Sequence, residues 1–270
     1  MAKRILTAVI GVPLLAVVLL VLPKIYAALA YAVLCACAAY EICKATGVKQ
    51  YTRLMAYTVL FAAAVPLWSY FGSSGLLAQI ALLGYFVLMF AEIMLSKLTL
   101  PFAKACIAFF AAFPVPYMLS ATVRLLLPEL GRILVCIPFV IGFLSDSGAF
   151  FVGRAIGKHK MSPLISPKKS VEGLFGGIVA SILGMLAFAL IVDKATDATA
   201  NYALAFVFGL LGALAGTFGD LSFSCIKREY GIKDYSQILP GHGGILDRFD
   251  SLIAIALMVE ILMDVLPVVV

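Results

Sequence analysis

Two aspartates lie inside stretches of sequence that are otherwise apolar. Asp146 follows Ser145 and Asp220 follows Gly219, each inside a run long enough to cross a membrane. An aspartate at the centre of a bilayer costs about 2.5–3.5 kcal/mol on insertion scales, so both side chains should face protein or water. Carboxylates in such positions are candidates for binding a cation.

Four other acids lie near the ends of predicted membrane spans, where a solvated or snorkelling side chain explains them more simply. They are Glu41, Glu92, Asp193 and Asp264. Glu260 lies inside the last apolar run and receives no assignment.

A polar stripe begins at Asp220. Asp220, Ser224 and Lys227 are spaced i, i+4 and i+7, which places them on one face of a helix. Apolar residues cover the other faces of the same segment. The stripe should therefore line a water-filled cavity or a protein interior, with its acid deeper in the membrane and its base nearer the cytoplasm.

A glycine-rich turn containing His242, Gly243 and Gly244 precedes the last apolar run. Glycine permits close approach of the backbone, and a turn of this kind at a helix start can aim backbone amides at phosphate. Asp247 and Asp250, spaced i and i+3, share a face at the start of that helix. They allow two interpretations, because carboxylates at this position also cap the helix and complement its dipole.

The acids and bases together indicate a metal–phosphate site. Mg²⁺ is held by one or two carboxylates together with substrate phosphates. Lys and Arg side chains are phosphate partners, and those near the acids are Lys227, Arg228, Lys233 and Arg248. A second loop adds Lys168 and Lys169, although basic clusters beside membranes commonly face anionic lipid. Two basic loops on the side of the acid-bearing helices predict a site for a polyphosphate.

The composition defines the elements that must position these residues. The chain has 270 residues, 64% hydrophobic and 13% charged, whereas soluble domains are about 45–50% apolar and about 25% charged. A soluble enzyme, a disordered protein and a secreted disulfide scaffold are thereby excluded. Because one crossing needs about 20 apolar residues, we predict an all-α, polytopic integral membrane protein with about nine transmembrane helices. The predicted spans are 5–22, 25–43, 54–71, 75–96, 100–127, 132–155, 174–192, 202–228 and 247–268.

The predicted organisation has two regions. Residues 1–130 form an N-terminal set of about five spans, and residues 131–270 form a C-terminal catalytic region. The polar loops of the catalytic region are 157–173 and 229–246.

The basic residues predict the orientation in the membrane. With the N-terminus in the cytoplasm, 16 of the 20 Lys and Arg residues lie on the cytoplasmic side, as the positive-inside rule requires. Both polar loops are then cytoplasmic and the C-terminus lies outside. This bias also explains the net charge of +6, so no nucleic acid partner is expected.

Other patterns predict packing rather than chemistry. The six cysteines form no C-x-x-C pair and are interpreted as small buried hydrophobes. The pairs Gly173/Gly177 and Gly212/Gly216 are interpreted as helix-packing faces.

Three segments carry a resemblance to a known family. Residues 224–250 resemble the signature of the phosphatidate cytidylyltransferases (CDP-diacylglycerol synthases) without a departure, including Lys227-Arg228, Lys233-Asp234, His242-Gly243-Gly244 and Asp247-Arg248-Phe249-Asp250. Residues 145–150 resemble the family's Ser-Asp-Thr-Gly-Ala-Tyr segment, although Phe150 lacks the tyrosine hydroxyl. Residues 166–173 resemble the family's second loop.

The resemblance implies an enzyme of phospholipid biosynthesis that converts CTP and phosphatidate to CDP-diacylglycerol and pyrophosphate. It implies Mg²⁺ bound by Asp220 and Asp247, with Asp146 and Asp250 in supporting roles, and a K⁺ ion near the magnesium. We assign catalysis to Asp220, Lys227, Arg228, Asp247 and Arg248. We assign substrate binding to Ser224, Lys233, Asp234, His242, Gly243, Gly244, Lys168 and Lys169.

The expected surroundings follow from the same assignment. The expected partners are CTP, phosphatidate and membrane lipid, and the expected location is a bacterial plasma membrane with the active site on the cytoplasmic side. The sequence leaves a homodimer open. It also leaves open whether His242 contacts phosphate, contacts the cytosine or shapes the turn.

Two other classes of protein share some of these features. A transporter also carries charged residues inside its spans, but here the ionisable residues cluster toward one side of the membrane. A CDP-alcohol phosphotransferase needs two aspartates four residues apart after a D-G-x-x-A-R run. That run is absent, and the residue four after Asp220 is Ser224.

Overall fold

The computed structural model describes residues 2–72, 75–238 and 243–269, with side chains except those of residues 2–10, 75, 77 and 78. The chain divides into two compact units. The first unit comprises Met1–Leu127 and Tyr230–Arg248, and the second comprises Pro128–Glu229 and Phe249–Val270. The polar segment after residue 229 therefore belongs to the same unit as the N-terminal helices. The two functional regions expected from the sequence stay a prediction.

The first unit is built from apolar helices around α2, whose Tyr31 and Ile42 are almost fully buried. Its elements are α1 (Ala2–Leu20), α2 (Lys24–Ala45), a 3₁₀ turn (Val48–Gln50), α3 (Thr52–Phe71), α4 (Gly75–Leu95), α5 (Phe102–Ala112), α6 (Pro114–Leu119) and α7 (Ala121–Leu126). The predicted span 100–127 is interrupted at Phe113, between α5 and α6, because Pro114 and Pro116 provide no backbone N–H to continue the helical ladder.

The second unit contains three long helices, most of a fourth and a short hairpin. Its elements are α8 (Gly131–Leu134), α9 (Cys136–Ile156), β1 (Lys160–Ser162), β2 (Ser166–Ser170), α10 (Val171–Ala195) and α11 (Tyr202–Glu229). The last helix, α12 (Leu246–Val265), belongs to this unit from Phe249 onward.

Glycines set the distance between helices of the second unit. A Cβ added at Gly177 of α10 would lie 2.7 Å from the carbonyl oxygen of Ser145 on α9, and one at Gly173 would lie 2.9 Å from that of Ala149. A Cβ at Gly212 of α11 would lie 2.8 Å from Ile141 of α9. The prediction that these glycines form packing faces is confirmed, because no larger residue fits such contacts without movement.

Six helical segments of the described chain, two of them made of consecutive helices (α5–α7 and α8–α9), have the length and apolar composition needed to cross a membrane. They are Lys24–Ala45, Thr52–Phe71, Phe102–Leu126, Gly131–Ile156, Val171–Ala195 and Tyr202–Glu229, with shorter apolar helices at Gly11–Leu20 and Gln79–Leu95. An all-α membrane protein is thus confirmed, whereas the count of about nine spans is not. The twelfth helix has 20 residues but carries Asp247, Arg248, Asp250, Glu260 and Asp264.

The polar loop 157–173 has regular structure that the sequence analysis did not predict. Strands β1 and β2 pair antiparallel, with Lys160 opposite Ser170 and Ser162 opposite Ser166. Ser170 then caps α10, because its Oγ accepts a hydrogen bond from the Gly173 amide at 3.1 Å. This cap joins the hairpin directly to the start of a long helix.

Candidate active site

Three helices of the second unit bring carboxylates together. Asp146 of α9, Asp220 of α11 and Asp250 of α12 interact electrostatically with one another. Asp250 is buried, Asp220 is half-buried and Asp146 is exposed. The sequence had singled out Asp146 and Asp220 from their apolar surroundings, and the fold adds Asp250 to the same acidic cluster.

Close packing of α11 against α12 explains why two of these acids meet. A Cβ added at Gly219 would lie 2.6 Å from the carbonyl oxygen of Asp250, and one at Gly216 would lie 2.7 Å from Ile255. Gly219 immediately precedes Asp220. Because the two backbones touch here, the adjacent carboxylates are held in one neighbourhood.

Lysines of the second unit compensate part of this negative charge. Lys169 Nζ lies 2.5 Å from Asp220 Oδ2, and both side chains are about one quarter exposed, at 26% and 27%. Lys227 is 7% exposed and interacts electrostatically with Asp250. The cluster therefore alternates acids with bases, as a site for a metal and phosphates would require.

The predicted stripe on α11 is confirmed. Ser224 Oγ donates a hydrogen bond to Asp220 Oδ1 at 3.2 Å, and both Ser224 and Lys227 are buried. The residues between them, including Cys225, are exposed or half-buried. The stripe faces the protein interior, which agrees with the expectation that polar groups avoid lipid.

The hairpin brings Lys169 to this cluster. Arg228 Nε donates a hydrogen bond to the carbonyl oxygen of Ile165, just before β2, at 3.0 Å. Neighbouring side chains of a strand point to opposite faces, and accordingly Lys168 is exposed whereas Lys169 is half-buried against Asp220. Arg228 thus contacts the hairpin backbone, a role that the sequence had not suggested.

In the first unit, Asp247 organises the segment that precedes α12. Its Oδ2 accepts hydrogen bonds from the amides of Tyr235 at 2.8 Å and Gly244 at 2.9 Å. Gly243 has a φ of +85°, and an added Cβ would lie 3.1 Å from Asp247 Oδ2. Glycine is therefore required there for both backbone conformation and space. Tyr235 and Gly244 both precede α12 (Leu246–Val265), so these hydrogen bonds tie the loop together and do not cap the helix. A ligand role for Asp247 stays a prediction.

Glu41 of α2 was missed by the sequence analysis. Its assignment as a solvated or snorkelling residue at a span end is wrong, because its side chain is 0% exposed. It accepts hydrogen bonds from the Ser236 hydroxyl, from the Ile245 amide at 2.9 Å and from the Leu246 amide at 2.8 Å. The same insertion cost that drew attention to Asp146 applies at position 41, and this signal could have found it.

The remaining predicted residues lie around these groups. Lys233, Asp234 and Arg248 are exposed in the first unit, where Gly244 is buried. A Cβ added at Gly243 would lie 3.5 Å from the Asp234 side chain. His242 lies outside the described residues.

The donor set fits a hard cation. Among the residues that the structure describes, no three His, Cys, Asp or Glu side chains converge as a ready-made metal cage. Mg²⁺ does not need such a cage, because it usually keeps several waters and binds one or two carboxylates together with substrate phosphates. Asp146, Asp220, Asp247 and Asp250 offer carboxylate oxygens of the type that Mg²⁺ takes.

These features define a helical membrane protein with acids and bases suited to binding a metal and phosphates. The sequence profile of the cytidylyltransferase family matches residues 2–266, and the chain belongs to this family.

Curated relatives are named phosphatidate cytidylyltransferase. That of Staphylococcus epidermidis is 46% identical over 125 residues, which cover 46% of this chain and 46% of the relative. Those of Staphylococcus saprophyticus, over 127 residues, and Staphylococcus aureus, over 125 residues, are each 42% identical with the same coverage. The chain thus spans about half the length of the curated relatives it matches.

Proposed function

We propose that the protein transfers the cytidylyl group of CTP to phosphatidate, giving CDP-diacylglycerol and pyrophosphate. The observation that carries the proposal is the acidic cluster of Asp146, Asp220 and Asp250 with Lys169 and Lys227 beside it. It occurs in a membrane-protein member of the cytidylyltransferase family, whose curated relatives are named for phosphatidate. A transporter is not favoured, because none of these comparisons points to transport.

The proposed reaction explains why acids and bases are mixed. A phosphate oxygen of phosphatidate attacks the α-phosphorus of CTP, a new O–P bond forms, and the bond to the leaving pyrophosphate breaks. A phosphomonoester has a second pKa of about 6, so this nucleophile is already ionised and needs no strong general base. The obstacle is repulsion between two polyanions, which positioned Lys and Arg side chains reduce.

We further propose that Asp220 and Asp247 are ligands of Mg²⁺ and that Asp146 and Asp250 support them, with K⁺ as a second cation. When bound, Mg²⁺ would neutralise phosphate charge. Lys169 pairs with Asp220 at 2.5 Å, so cation binding at Asp220 would compete with this ion pair. Lys227, Arg228, Lys233 and Arg248 are proposed to bind substrate phosphates.

The finer membrane arrangement is also a proposal. We propose about nine spans, with the N-terminus and the active site on the cytoplasmic side of a bacterial plasma membrane and the C-terminus outside. The distribution of Lys and Arg supports this orientation, with 16 of 20 on the cytoplasmic side.

The test of the reaction uses purified protein in mixed micelles containing phosphatidate. We expect CDP-diacylglycerol to form with CTP and Mg²⁺ and not with ATP, GTP or UTP, and we expect chelation of Mg²⁺ to stop it. Product formation is measured by chromatography of the lipid fraction. Failure to form a nucleotide-linked lipid from any of the four nucleotides would remove the proposed activity.

A further inference from the structure

A buried carboxylate outside the predicted site controls the segment that leads into α12. The carboxylate is that of Glu41, and it binds both ends of the loop that precedes α12. These loop ends are Tyr235–Ser236 and Gly244–Asp247. We propose that Glu41 is a positioning residue that fixes these loop ends in the conformation required for CTP binding. The inference rests on the proposed function for the identity of the nucleotide.

Glu41 accepts three hydrogen bonds. Its Oε1 accepts hydrogen bonds from the Ser236 hydroxyl and from the Ile245 amide at 2.9 Å, and its Oε2 accepts one from the Leu246 amide at 2.8 Å. These donors come from both loop ends. One side chain of α2 therefore joins two stretches of backbone that are separated along the chain.

Asp247 joins the same loop ends. Its Oδ2 accepts hydrogen bonds from Tyr235 and Gly244 at 2.8 and 2.9 Å. Both carboxylates thus hold the loop ends together. Glu41 does so from α2, and Asp247 does so from the loop end to which it belongs. A change at Glu41 would therefore loosen the same loop ends that Asp247 holds.

Only a carboxylate satisfies the donors around Glu41. The amides of Ile245 and Leu246 are at the start of α12, where backbone N–H groups lack helical partners and favour a negative charge. A glutamine would keep one acceptor oxygen and turn an NH₂ donor toward another N–H donor. A Cβ at Gly244 would lie 2.7 Å from both carboxylate oxygens, so the glutamate is enclosed as well as hydrogen-bonded.

The test compares wild type, Glu41→Gln, Ser236→Ala and the control Glu92→Gln. Glu92 is a half-buried glutamate near the end of α4 and matches Glu41 in residue type and in position near a span end. We expect Glu41→Gln to lower kcat/KM for CTP roughly 10- to 100-fold. KM for CTP should rise while KM for phosphatidate stays unchanged, whereas a general loss of folded protein would lower kcat alone. Ser236→Ala should act in the same direction with a smaller effect.

A second readout does not depend on turnover. Hydrogen–deuterium exchange of peptides containing Ile245 and Leu246 should become about tenfold faster in Glu41→Gln, with no change in Glu92→Gln. Combining Glu41→Gln with Ser236→Ala should add little, because both variants break the same contact.

The outcomes separate this inference from the proposed function. Wild-type KM for CTP and wild-type exchange in Glu41→Gln would overturn the positioning role. If Glu41→Gln does not fold, unchanged KM and exchange in Ser236→Ala would overturn it instead. If the wild type makes no CDP-diacylglycerol, the proposed function fails, and the exchange experiment alone decides whether Glu41 fixes the loop ends.

Discussion

Gly244 packs so closely against Glu41 that position 244 has no room for a side chain. A Cβ at Gly244 would lie 2.7 Å from both Glu41 carboxylate oxygens. The carboxylate is the end of a flexible side chain, but moving it would break hydrogen bonds with Ser236, Ile245 and Leu246. Position 244 therefore requires glycine because the Glu41 carboxylate lies beside it.

Gly244→Ala is expected to destabilise the protein by about 1–3 kcal/mol, the usual range for overpacking a filled interior, and to raise KM for CTP. Thermal unfolding in detergent and steady-state kinetics measure the two effects. Gly84→Ala on α4 is the control, because no atom lies within 4 Å of its added Cβ. Equal behaviour of the two variants would contradict the close contact.

Asp220→Asn tests the acidic cluster. The amide keeps the size of the side chain but removes the charge that pairs with Lys169. We expect turnover to fall roughly 10²–10³-fold, as when one preorganised electrostatic contact is lost, with an unchanged unfolding temperature. Asp264→Asn replaces an exposed aspartate of α12 and should keep wild-type turnover. Near-normal activity of Asp220→Asn at ordinary Mg²⁺ concentration would remove Asp220 from the metal site.

Predictions for individual residues are confirmed where they depend on neighbours that are close in the sequence. Asp220, Ser224 and Lys227 occur within eight positions of sequence, and helical periodicity alone places them together. The role of Glu41 could not be predicted in this way, because its partners Ser236 and Leu246 are 195 and 205 residues away. Only the fold brings such distant donors to one carboxylate.

Among the secondary-structure elements, the β1–β2 hairpin places two adjacent lysines in different surroundings. Lys169 is half-buried against Asp220, whereas Lys168 is exposed on the opposite face of β2. Arg228 of α11 holds the backbone at Ile165, next to the same strand. The hairpin therefore orients Lys169, and not Lys168, toward the acidic cluster.

This orientation predicts unequal effects of two matched substitutions. Lys169→Met should lower kcat/KM roughly 10- to 100-fold, because it removes the positive charge beside Asp220 and the phosphates expected there. Lys168→Met should have a clearly smaller effect, because its charge is exposed to solvent. Steady-state kinetics with CTP and phosphatidate measure both. A larger effect at Lys168 would contradict the orientation of β2.

Element boundaries were predictable where apolar runs are long. The predicted span 202–228 agrees closely with α11, Tyr202–Glu229, because hydropathy marks such helices strongly. The hairpin was not predicted, since its strands have three and five residues and Lys160–Ser170 shows no clear alternation of apolar and polar residues. The antiparallel pairing of β1 with β2 defines this element, and the Arg228 hydrogen bond and the cap at Ser170 attach it to α11 and α10.

At the scale of the whole molecule, charge scarcity and charge position carry different information. The low charged fraction of 13% identifies an integral membrane protein, and six helical segments have the required length and composition in the described part of the chain. The positions of Lys and Arg predict which ends of the helices face the cytoplasm.

The orientation can be tested with single added cysteines. Leu164, between β1 and β2, is 91% exposed, and Asp197, between α10 and α11, is exposed as well. A membrane-impermeant maleimide should label Leu164→Cys in inside-out vesicles and Asp197→Cys in spheroplasts, above the labelling of the parent protein with its natural cysteines. The reverse pattern would contradict a cytoplasmic hairpin.

The contact between Glu41 and the loop ends can form only late in the synthesis of the chain. Ser236 follows Glu41 by 195 residues, so at about 5–20 residues per second it is synthesised roughly 10–40 s later. Until then the nascent α2 carries a carboxylate whose final donors do not yet exist. The first unit is therefore completed only after the ribosome has made Pro128–Glu229 of the second, and a chain that stops before Ile245 cannot complete it.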